Sequence, residues 1–374
     1  MKITRVGASV AAATALVLGL SACGSNNNSS AQPTTSGAAS ESSAAGNLTG
    51  TLSGGGASSQ SSAMDAWIEG FKSVQPGVQV QYNPVGSGAG REGFLAGQYV
   101  FAGSDSAMDN DEWEQSKSVC GTDGAFHVPA YISPIAIAYN LPSVTEPLKL
   151  DADTIAQIFA GKITTWNDPK IAATNEGVEL PDTKITPVHR ADESGTTDNF
   201  TDYLSQAAPD SWPDEASQTW PAAYQGESAQ KTSGVVSLAQ STEGAIVYAD
   251  ASAIGSLASV SVKVGNEFVA FSPEAAAKAV STAEKVGGQA PQDMAVKLDR
   301  TTTEAGTYPV VLVSYHIFCS TYKDQATADL AKAFGTYVLS ADGQQAAADA
   351  AGSAPVAGET ETEAIAAIES IKAA

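Results

Sequence analysis

The sequence predicts an α/β protein with two compact domains. The chain has 374 residues, which is longer than a single domain usually is. Short runs of β-forming residues alternate with amphipathic helical patterns from Leu48 onwards. Three of the predicted strands end in segments rich in glycine, serine and threonine that lead directly into a helix. This repeated connection is the feature from which both the fold and the site are predicted.

The composition excludes one class of function. The chain has 19 lysine and arginine residues against 41 aspartate and glutamate residues, for a formal net charge of −22. Proteins that bind nucleic acids need a concentrated basic surface, so no nucleic-acid partner is expected. Hydrophobic residues make up 43% of the chain and charged residues only 16%, which is a globular rather than a disordered composition.

Residues 1–22 have the pattern of a signal peptide. Lys2 and Arg5 precede eleven small or apolar residues, Val10–Leu20, fewer than the ~20 needed to span a bilayer. The following Leu-Ser-Ala-Cys-Gly resembles a bacterial lipobox, in which the cysteine, here Cys23, is lipidated and becomes the new N-terminus. A lipid there would anchor the protein at the extracytoplasmic face of the cell membrane. The alternative is a plain secretory signal followed by a chance cysteine.

A flexible tether is predicted between this anchor and the folded region. Residues 23–47 are mainly serine, asparagine, alanine, threonine and glycine with a single charge, Glu41. Such a segment has too few apolar residues to bury a core. The folded region is therefore predicted to begin near Leu48.

The two other cysteines, Cys120 and Cys319, form an even pair in an exported chain. An oxidising compartment favours a disulfide between them, and two buried free thiols are the alternative. The histidines His127, His189 and His316 are scattered, and no Cys-x-x-Cys or His-Glu-x-x-His spacing occurs. No metal site and no cofactor are therefore expected.

The first strand-to-helix connection opens the folded region. Residues 48–52 are a short strand candidate, and residues 53–59 form a turn rich in glycine and serine. Apolar residues then recur with helical spacing, which predicts an amphipathic helix with Ser58 or Ser59 near its N-cap.

The second and third connections repeat this order. Residues 78–82 alternate as a half-buried strand and run into Gly86–Gly90 and a helix candidate. Residues 185–189 are strand-like and lead through Arg190–Thr197 into apolar residues at helical spacing. Two further segments are apolar almost throughout and predict buried strands, residues 132–139 and residues 310–317.

These connections have a chemical meaning. A helix N-terminus presents unpaired backbone N–H groups and a partial positive charge, and small residues let an anion approach them. Three such turns that converge would enclose a small tetrahedral oxyanion. Arg190 strengthens this hypothesis, because a guanidinium suits bidentate contact with an oxyanion. The alternatives are that the turns are only helix caps and that Arg190 forms a surface ion pair with Asp192.

Six segments of the chain resemble, in the same order, motifs of the ABC-type phosphate-binding proteins. Arg190–Thr196 reads Arg-Ala-Asp-Glu-Ser-Gly-Thr and is similar to the family motif Arg-Ala-Asp-Gly-Ser-Gly-Thr. The other segments are Gly54–Ser58, Gly86–Gly90, Phe101–Asp105, Ile158–Asp168 and Gly244–Tyr248. The chain is identified as a member of this family over nearly its whole length from Leu48.

The resemblance implies a two-lobed, periplasmic-binding-protein-like fold with a central hinge and a ligand cleft between the lobes. Lobe I would hold residues 48–138 and a C-terminal return, residues 307–374, and lobe II would hold residues 139–306. Hinge motion would close the lobes on one anion. Since Cys120 and Cys319 lie near the two buried strands, their disulfide would join parts of lobe I.

The activity implied by the resemblance is the binding of inorganic phosphate and its delivery to the membrane subunits of an ABC-type phosphate permease, by a monomer. Two other classes stay open. One is a surface adhesin-type lipoprotein, and the other is a hydrolase of phosphate esters. The hydrolase lacks sequence support, because no Gly-x-Ser-x-Gly motif and no phosphate-loop motif occurs.

The resemblance also assigns phosphate-binding residues. Ser58 would supply a hydroxyl, Ser59 a backbone N–H, and Asp105 a carboxylate that accepts a proton from the ligand. The remaining positions are the second-loop hydroxyl, the phosphate-binding arginine, its orienting carboxylate and three helix-start donors, namely Ser87, Arg190, Asp192, Ser194, Gly195 and Thr196. For Asp105 the alternative is a simple turn residue after Ser104.

The chain departs from the family pattern at three places. Ser58-Ser59-Gln60 replaces Thr-Phe-Pro in the first loop, and Gly88-Ala89 replaces Ser-Gly in the second. Glu193 replaces a glycine between Asp192 and Ser194. A glycine adopts positive φ without strain and a glutamate does not, and a carboxylate there could repel the anion. Glu193 is therefore expected to point into solvent.

Overall fold

The computed structural model describes residues 48–374, and the predicted signal peptide, the lipidation site Cys23 and the tether lie outside this range. The strands are β1 (Gly50–Gly56), β2 (Val78–Asn83), β3 (Phe101–Ser104), β4 (Ala125–Tyr139), β5 (Lys149–Leu150), β6 (Thr186–Arg190), β7 (Glu227–Ala229), β8 (Ala245–Asp250), β9 (Ala258–Ser259), β10 (Ser261–Val264), β11 (Glu267–Val269), β12 (Glu284–Lys285), β13 (Val296–Lys297), β14 (Val311–Cys319), β15 (Thr321–Tyr322) and β16 (Lys372–Ala373).

Helices alternate with these strands along the chain, as the class predicted from the sequence requires. They are α1 (Ser61–Val74), α2 (Ser87–Leu95), α3 (Asn110–Cys120), α4 (Ala152–Phe159), α5 (Pro169–Thr174), α6 (Gly195–Ala207), α7 (Lys231–Ser241), α8 (Pro273–Val280), α9 (Gln325–Leu339), α10 (Ala341–Ala351) and α11 (Glu359–Glu369). A short 3-10 helix spans Ala251–Ala253. Within residues 48–374, no helix is both long and apolar enough to cross a bilayer.

One large mixed sheet organises the fold, with the strand order β2-β1-β3-β14-β4-β8-β6-β7 and with β9 paired to β4. Strand β4 belongs to both halves of this sheet. Its N-terminal part, Ala125–Pro134, pairs with β14, and its C-terminal part, Ile135–Tyr139, pairs with β8. We call the half with β1, β2, β3 and β14 lobe I and the half with β6, β7 and β8 lobe II. The predicted α/β class and two-lobed fold are confirmed.

Each lobe has its own hydrophobic core. The core of lobe I gathers buried residues from 52–131 and 317–371, and the main core of lobe II gathers residues from 135–312. The face predicted for α1 is confirmed, because Met64, Trp67 and Phe71 are buried in the core of lobe I. The separate cores are what allows the two halves to behave as units.

One segment departs from the lobe ranges expected from the sequence. Ala290 and Met294 lie in the range predicted for lobe II, yet they pack into the core of lobe I. The backbone N–H of Met294 donates to the His127 carbonyl at 3.0 Å. The carboxylate of Asp293 accepts from the His127 backbone N–H at 2.7 Å. The chain therefore makes an excursion from lobe II to lobe I before it returns through β14.

The glycine run after the first predicted strand is itself strand. The sequence predicted a strand over residues 48–52 and a turn from residue 53, but β1 continues to Gly56. A side chain at Gly54 would collide with the ring of Phe101, and one at Gly55 would lie 2.5 Å from the ring of Tyr99. These glycines make room for aromatic rings of lobe I, so the predicted end of the strand at residue 52 was wrong, and the turn that carries Ser58 and Ser59 begins only after Gly56.

The disulfide predicted between Cys120 and Cys319 is present. Cys120 is the last residue of α3 and Cys319 the last residue of β14, and both are buried in the core of lobe I. The alternative of two free thiols does not hold. The bond joins residues that are 199 positions apart in the sequence.

Candidate functional site

The buried carboxylate of Asp105 is the centre of the candidate site. It follows β3 and is only 4% exposed. Its Oδ2 accepts a hydrogen bond from the Ser59 hydroxyl at 2.6 Å and from the Thr196 hydroxyl at 3.2 Å. Its Oδ1 accepts from the Ser314 hydroxyl at 2.6 Å. Residues from the first loop, from α6 and from β14 thus meet at one carboxylate.

Burial raises the pKa of Asp105 above its ordinary value of 3.8. The hydrogen bonds from Ser314, Ser59 and Thr196 and the charge of Arg190 oppose this effect without cancelling it. A buried carboxyl whose partners are rotatable hydroxyls can share a proton with a ligand. The observation favours a role for Asp105 beyond that of a turn residue.

Arg190 and Asp192 form a buried ion pair beside this carboxylate. Arg190 Nε donates to Asp192 Oδ1 at 2.7 Å, and Arg190 Nη2 donates to Asp192 Oδ2. The Arg190 side chain is 3% exposed and that of Asp192 15% exposed, so the pair is not a surface ion pair. Although burial opposes it, hydrogen bonding to Arg190 holds the pKa of Asp192 below its ordinary value. The pair fixes the guanidinium in one orientation.

The start of α6 approaches Asp105 closely. Ser194 is the N-cap of α6, and its hydroxyl accepts from the Thr197 backbone N–H at 3.3 Å. A side chain at Gly195 would place its Cβ 2.7 Å from the Cβ of Asp105. Only a glycine lets the α6 N-terminus reach the carboxylate, so Gly195 is required by packing as well as by its backbone donor.

The second loop lies against the same groups. The backbone N–H of Asp105 donates to the Ser87 hydroxyl at 3.3 Å. Gly86, the N-cap of α2, has φ +106, and a side chain there would place its Cβ 2.7 Å from Asp192 Oδ2. The structure therefore brings the predicted residues of this loop next to both Asp105 and the ion pair of Arg190.

Ser58 is directed towards lobe II. Its hydroxyl lies 3.0 Å from the hydroxyl of Thr232 and accepts from the Thr232 backbone N–H at 3.0 Å. Thr232 belongs to the first turn of α7, and the preceding Lys231 donates its backbone N–H to Asp192 at 3.0 Å. Ser58 and Ser59 thus face different partners, and the start of α7 becomes a fourth helix N-terminus at this place.

Glu193 was expected to point into solvent, but its side chain lies against the protein. It is exposed, but its carboxylate lies over α2, where it occupies the space of a side chain at Gly88. A Cβ at Gly88 would lie 2.6 Å from the Cβ of Glu193. Among residues 48–374, Lys231 is the one non-glycine residue with positive φ, so Glu193 has no need of a glycine conformation. The substitution in the third loop is matched by the missing side chain in the second.

Four further polar residues of the site were not predicted from the sequence. Tyr248 accepts from the Arg190 backbone N–H at 3.1 Å, and Asn199 donates to the Asp105 carbonyl at 2.7 Å. Ser314 and Thr232 contact Asp105 and Ser58 as described above. Two of them carried a signal: Ser314 is the lone serine or threonine within the apolar run of β14, and Tyr248 ends the family-like segment Gly244–Tyr248. The others lie in segments that the fold alone brings together.

The arrangement suits a small oxyanion that carries a proton. Hydroxyls, a guanidinium and the N-termini of helices are donors to an anion, and Asp105 is an acceptor placed among them. The rings of His127, His189 and His316 lie elsewhere. Within the part of the chain that is described, none of them is hydrogen-bonded to a serine hydroxyl. The site therefore has the features of a binding site for a protonated anion.

Fold and site together define a binding protein of the two-lobed type, and comparison with known proteins agrees. The family model described as the PBP superfamily domain matches residues 30–342. Solved structures support the same fold. A phosphate-binding protein from Stenotrophomonas maltophilia is similar with a TM-score of 0.64 at 20% identity, covering 85% of this chain and 93% of that one.

A second solved structure is a phosphate ABC transporter substrate-binding protein with bound phosphate from Clostridium perfringens. It has a TM-score of 0.59 at 22% identity and covers 82% of this chain and 100% of that one. Among curated proteins, phosphate-binding protein PstS 2 of Mycobacterium tuberculosis is 35% identical over 344 residues, 89% of this chain and 90% of its own.

Phosphate-binding protein PstS 3 of Mycobacterium leprae is 36% identical over 292 residues, 76% of this chain and 77% of its own. The chain belongs to the PBP superfamily and, within it, to the family of PstS phosphate-binding proteins.

Proposed function

We propose that this protein binds inorganic phosphate outside the cell membrane and delivers it to the membrane subunits of an ABC-type phosphate permease. The observation that carries the proposal is the buried carboxylate of Asp105 among hydroxyl donors, beside the guanidinium of Arg190. The curated relatives are named phosphate-binding proteins, and a neighbour of the same fold is described with bound phosphate.

Asp105 provides the basis for selecting phosphate over sulfate. Phosphate at neutral pH carries at least one proton and can donate it to a carboxylate, whereas sulfate carries none. Facing sulfate, the oxygens of Asp105 would meet only acceptors, in a place where an unpaired acceptor costs free energy. Rejection of the competitor contributes to specificity as much as attraction of the ligand does.

The net charge of the chain does not argue against an anionic ligand. At a charge of −22 the protein repels anions at long range, but salt screens this repulsion within roughly 10 Å. Inside the site, donors act over a few ångströms. Affinity therefore has to come from the helix starts, the hydroxyls and Arg190, and not from the charge of the whole molecule.

The proposal is tested by calorimetric titration of the purified protein with phosphate, with sulfate as competitor. We expect phosphate binding well below millimolar concentration that sulfate does not displace. Arg190→Ala should abolish it, because the guanidinium is the site's largest donor. An absence of phosphate binding at millimolar concentration would contradict the proposal.

Under this proposal the protein binds phosphate and catalyses no reaction of it. The histidines occupy structural positions, since His127 is held by Asp293 and Met108, and the ring of His189 stacks on Trp220. Turnover of a chromogenic phosphate ester that is lost in Arg190→Ala would instead support a hydrolase.

We propose further that a lipid on Cys23 retains the protein at the extracytoplasmic membrane face, where it acts as a monomer. The support is the lipobox-like sequence around Cys23. Mass spectrometry of the membrane fraction should detect a diacylglyceryl cysteine, and Cys23→Ala should abolish that modification. Sedimentation of the purified protein should give one copy per particle.

A further inference from the structure

Asn199 in the first turns of α6 has all three of its side-chain groups engaged. Its Nδ2 donates to the Asp105 carbonyl at 2.7 Å and to the Gly195 carbonyl at 2.8 Å. Its Oδ1 accepts from Arg300 Nη2 at 2.6 Å. Carbonyls only accept and a guanidinium only donates, so chemistry fixes which end of the amide faces which partner. Asn199 is 9% exposed, so these partners are not readily replaced by water.

Arg300 connects the Asn199 amide to residues 309–311, which we call the crossing segment because the chain passes there from lobe II into lobe I. It is 3% exposed, and its Nε donates to the carboxylate of Asp202 on α6 at 2.8 Å. Its Nη1 donates to the carbonyls of Pro309 at 2.9 Å and Val311 at 2.7 Å. Val311 is the first residue of β14, the strand that carries Ser314 to the site. Arg300 therefore ties α6 to the start of the strand that enters lobe I.

One of the bonds of Asn199 runs directly from α6, which packs into the core of lobe II, to a loop of lobe I. Gly195 belongs to α6, as Asn199 does, and Arg300 is bound to α6 and to the crossing segment. Asp105, by contrast, follows β3 of lobe I. A separation of the lobes that moves α6 away from β3 would break the bond from Asn199 to the Asp105 carbonyl, whereas the bonds to Gly195 and Arg300 can survive it.

We propose that Asn199, held by Arg300, is a positioning residue that fastens the closed lobes through the backbone of the residue whose carboxylate receives the ligand proton. This inference rests on the proposed phosphate binding. The bond would act at the same place as the ligand but through a different atom of Asp105. It would slow opening of the lobes and so slow release of bound phosphate.

Asn199→Asp tests this step with little change of shape. The carboxylate can still accept from Arg300, but an oxygen replaces the donor that faces the Asp105 carbonyl. We expect the dissociation rate constant for phosphate to rise about 10- to 100-fold in stopped-flow displacement, as follows from loss of a buried donor. The association rate constant should stay within about twofold, because the open lobes lack this bond. Asn199→Ala, which adds no charge, should show the same split.

Asn175 provides a matched control in the same lobe. It is 5% exposed, donates to the carbonyls of Lys149 at 2.9 Å and Ile171 at 2.8 Å, and accepts from the Lys149 backbone N–H at 2.8 Å. Asn175→Asp should lower the melting temperature without changing phosphate dissociation. The inference is overturned if dissociation from both Asn199 variants stays within twofold of the wild type, or if Asn175→Asp accelerates it equally.

Phosphate binding by the wild-type protein distinguishes a failure of this inference from a failure of the proposed function on which it rests. A wild type that binds no phosphate defeats the proposed function. The inference falls with it in that event, because a bond that slows phosphate release has no effect to show without bound phosphate. Phosphate binding by the wild type, together with unchanged dissociation from both Asn199 variants, would overturn the inference alone and leave the proposed function intact.

Discussion

The carboxylate of Glu193 in lobe II rests in the space that a side chain at Gly88 in lobe I would need. The two residues belong to different loops, and each departs from the pattern of the family at its own position. The two departures depend on each other sterically. A larger residue at position 88 would collide with Glu193, and a glycine at position 193 would leave the first turn of α2 uncovered. Together they form one fitted contact across the cleft.

Gly88→Ser should weaken phosphate binding by about tenfold. The added side chain would collide with Glu193 only when the lobes meet, so it penalises the closed form, and overpacking of this kind typically costs about 1–3 kcal/mol. Calorimetry measures the effect. The double variant with Glu193→Gly should return to within about threefold of the wild type, because it removes the obstacle.

The matched control for this pair is Gly287→Ser, which adds the same side chain where no atom lies within 4 Å. It should leave phosphate affinity unchanged. A double variant as weak as Gly88→Ser alone would show that the contact with Glu193 is not the cause.

Asp105→Asn should narrow the preference for phosphate over sulfate. The amide keeps an acceptor but adds a donor, so the site loses an acceptor for the ligand proton and gains a favourable contact with a sulfate oxygen. We expect weaker phosphate binding and measurable sulfate binding by calorimetry. Asp151→Asn, which changes a helix N-cap of α4 to another good N-cap residue, serves as control. Unchanged affinities for both anions in Asp105→Asn would contradict the prediction.

Replacing both Cys120 and Cys319 by serine should lower the free energy of unfolding by about 2–4 kcal/mol. The bond closes a loop of 199 positions, so its loss releases much conformational freedom in the unfolded chain. Urea denaturation should show the lower midpoint. A reductant should shift the wild type in the same direction and leave the double variant unaffected, and a wild type insensitive to reductant would argue against the bond.

Asp250→Asn should stabilise the protein more at pH 8 than at pH 4. Burial raises the pKa of Asp250 from 3.8 to about 6, and its Oδ2 has no hydrogen-bond partner. The folded state therefore binds the proton more tightly than the unfolded state, so stability falls as pH rises from about 4 through about 6. An amide cannot ionise and removes this loss, of the order of 2 kcal/mol. Thermal unfolding at both pH values measures it, and an equal change at both would contradict the prediction.

The part of the site whose residues are adjacent in the chain could be located from the sequence. One segment carries five of the predicted residues, namely Arg190, Asp192, Ser194, Gly195 and Thr196. They come together because β6 ends directly before α6 begins, so that neighbouring residues surround a single point. Local patterns of this kind predict the element and which residues come together at its end. The class of the fold could be predicted for the same reason.

What could not be predicted depends on contacts between distant segments. Ser314 meets Asp105 across 209 positions, and Arg300 meets Asn199 across 101 positions. No local pattern marks such pairs. The glycines of β1 were misread for a related reason, since the rings of Phe101 and Tyr99 that require them come from the neighbouring strand and its approach.

The position of β14 determines how much of the chain must be available before lobe I can be completed. This strand lies between β3 and β4 in the sheet, yet its residues 311–319 are made long after both neighbours. Until they emerge, the sheet of lobe I lacks an inner strand and Cys120 lacks its partner. Both cores therefore wait for this segment: Val310 and Leu312 complete the core of lobe II, and Ile317 with the helices that follow completes that of lobe I.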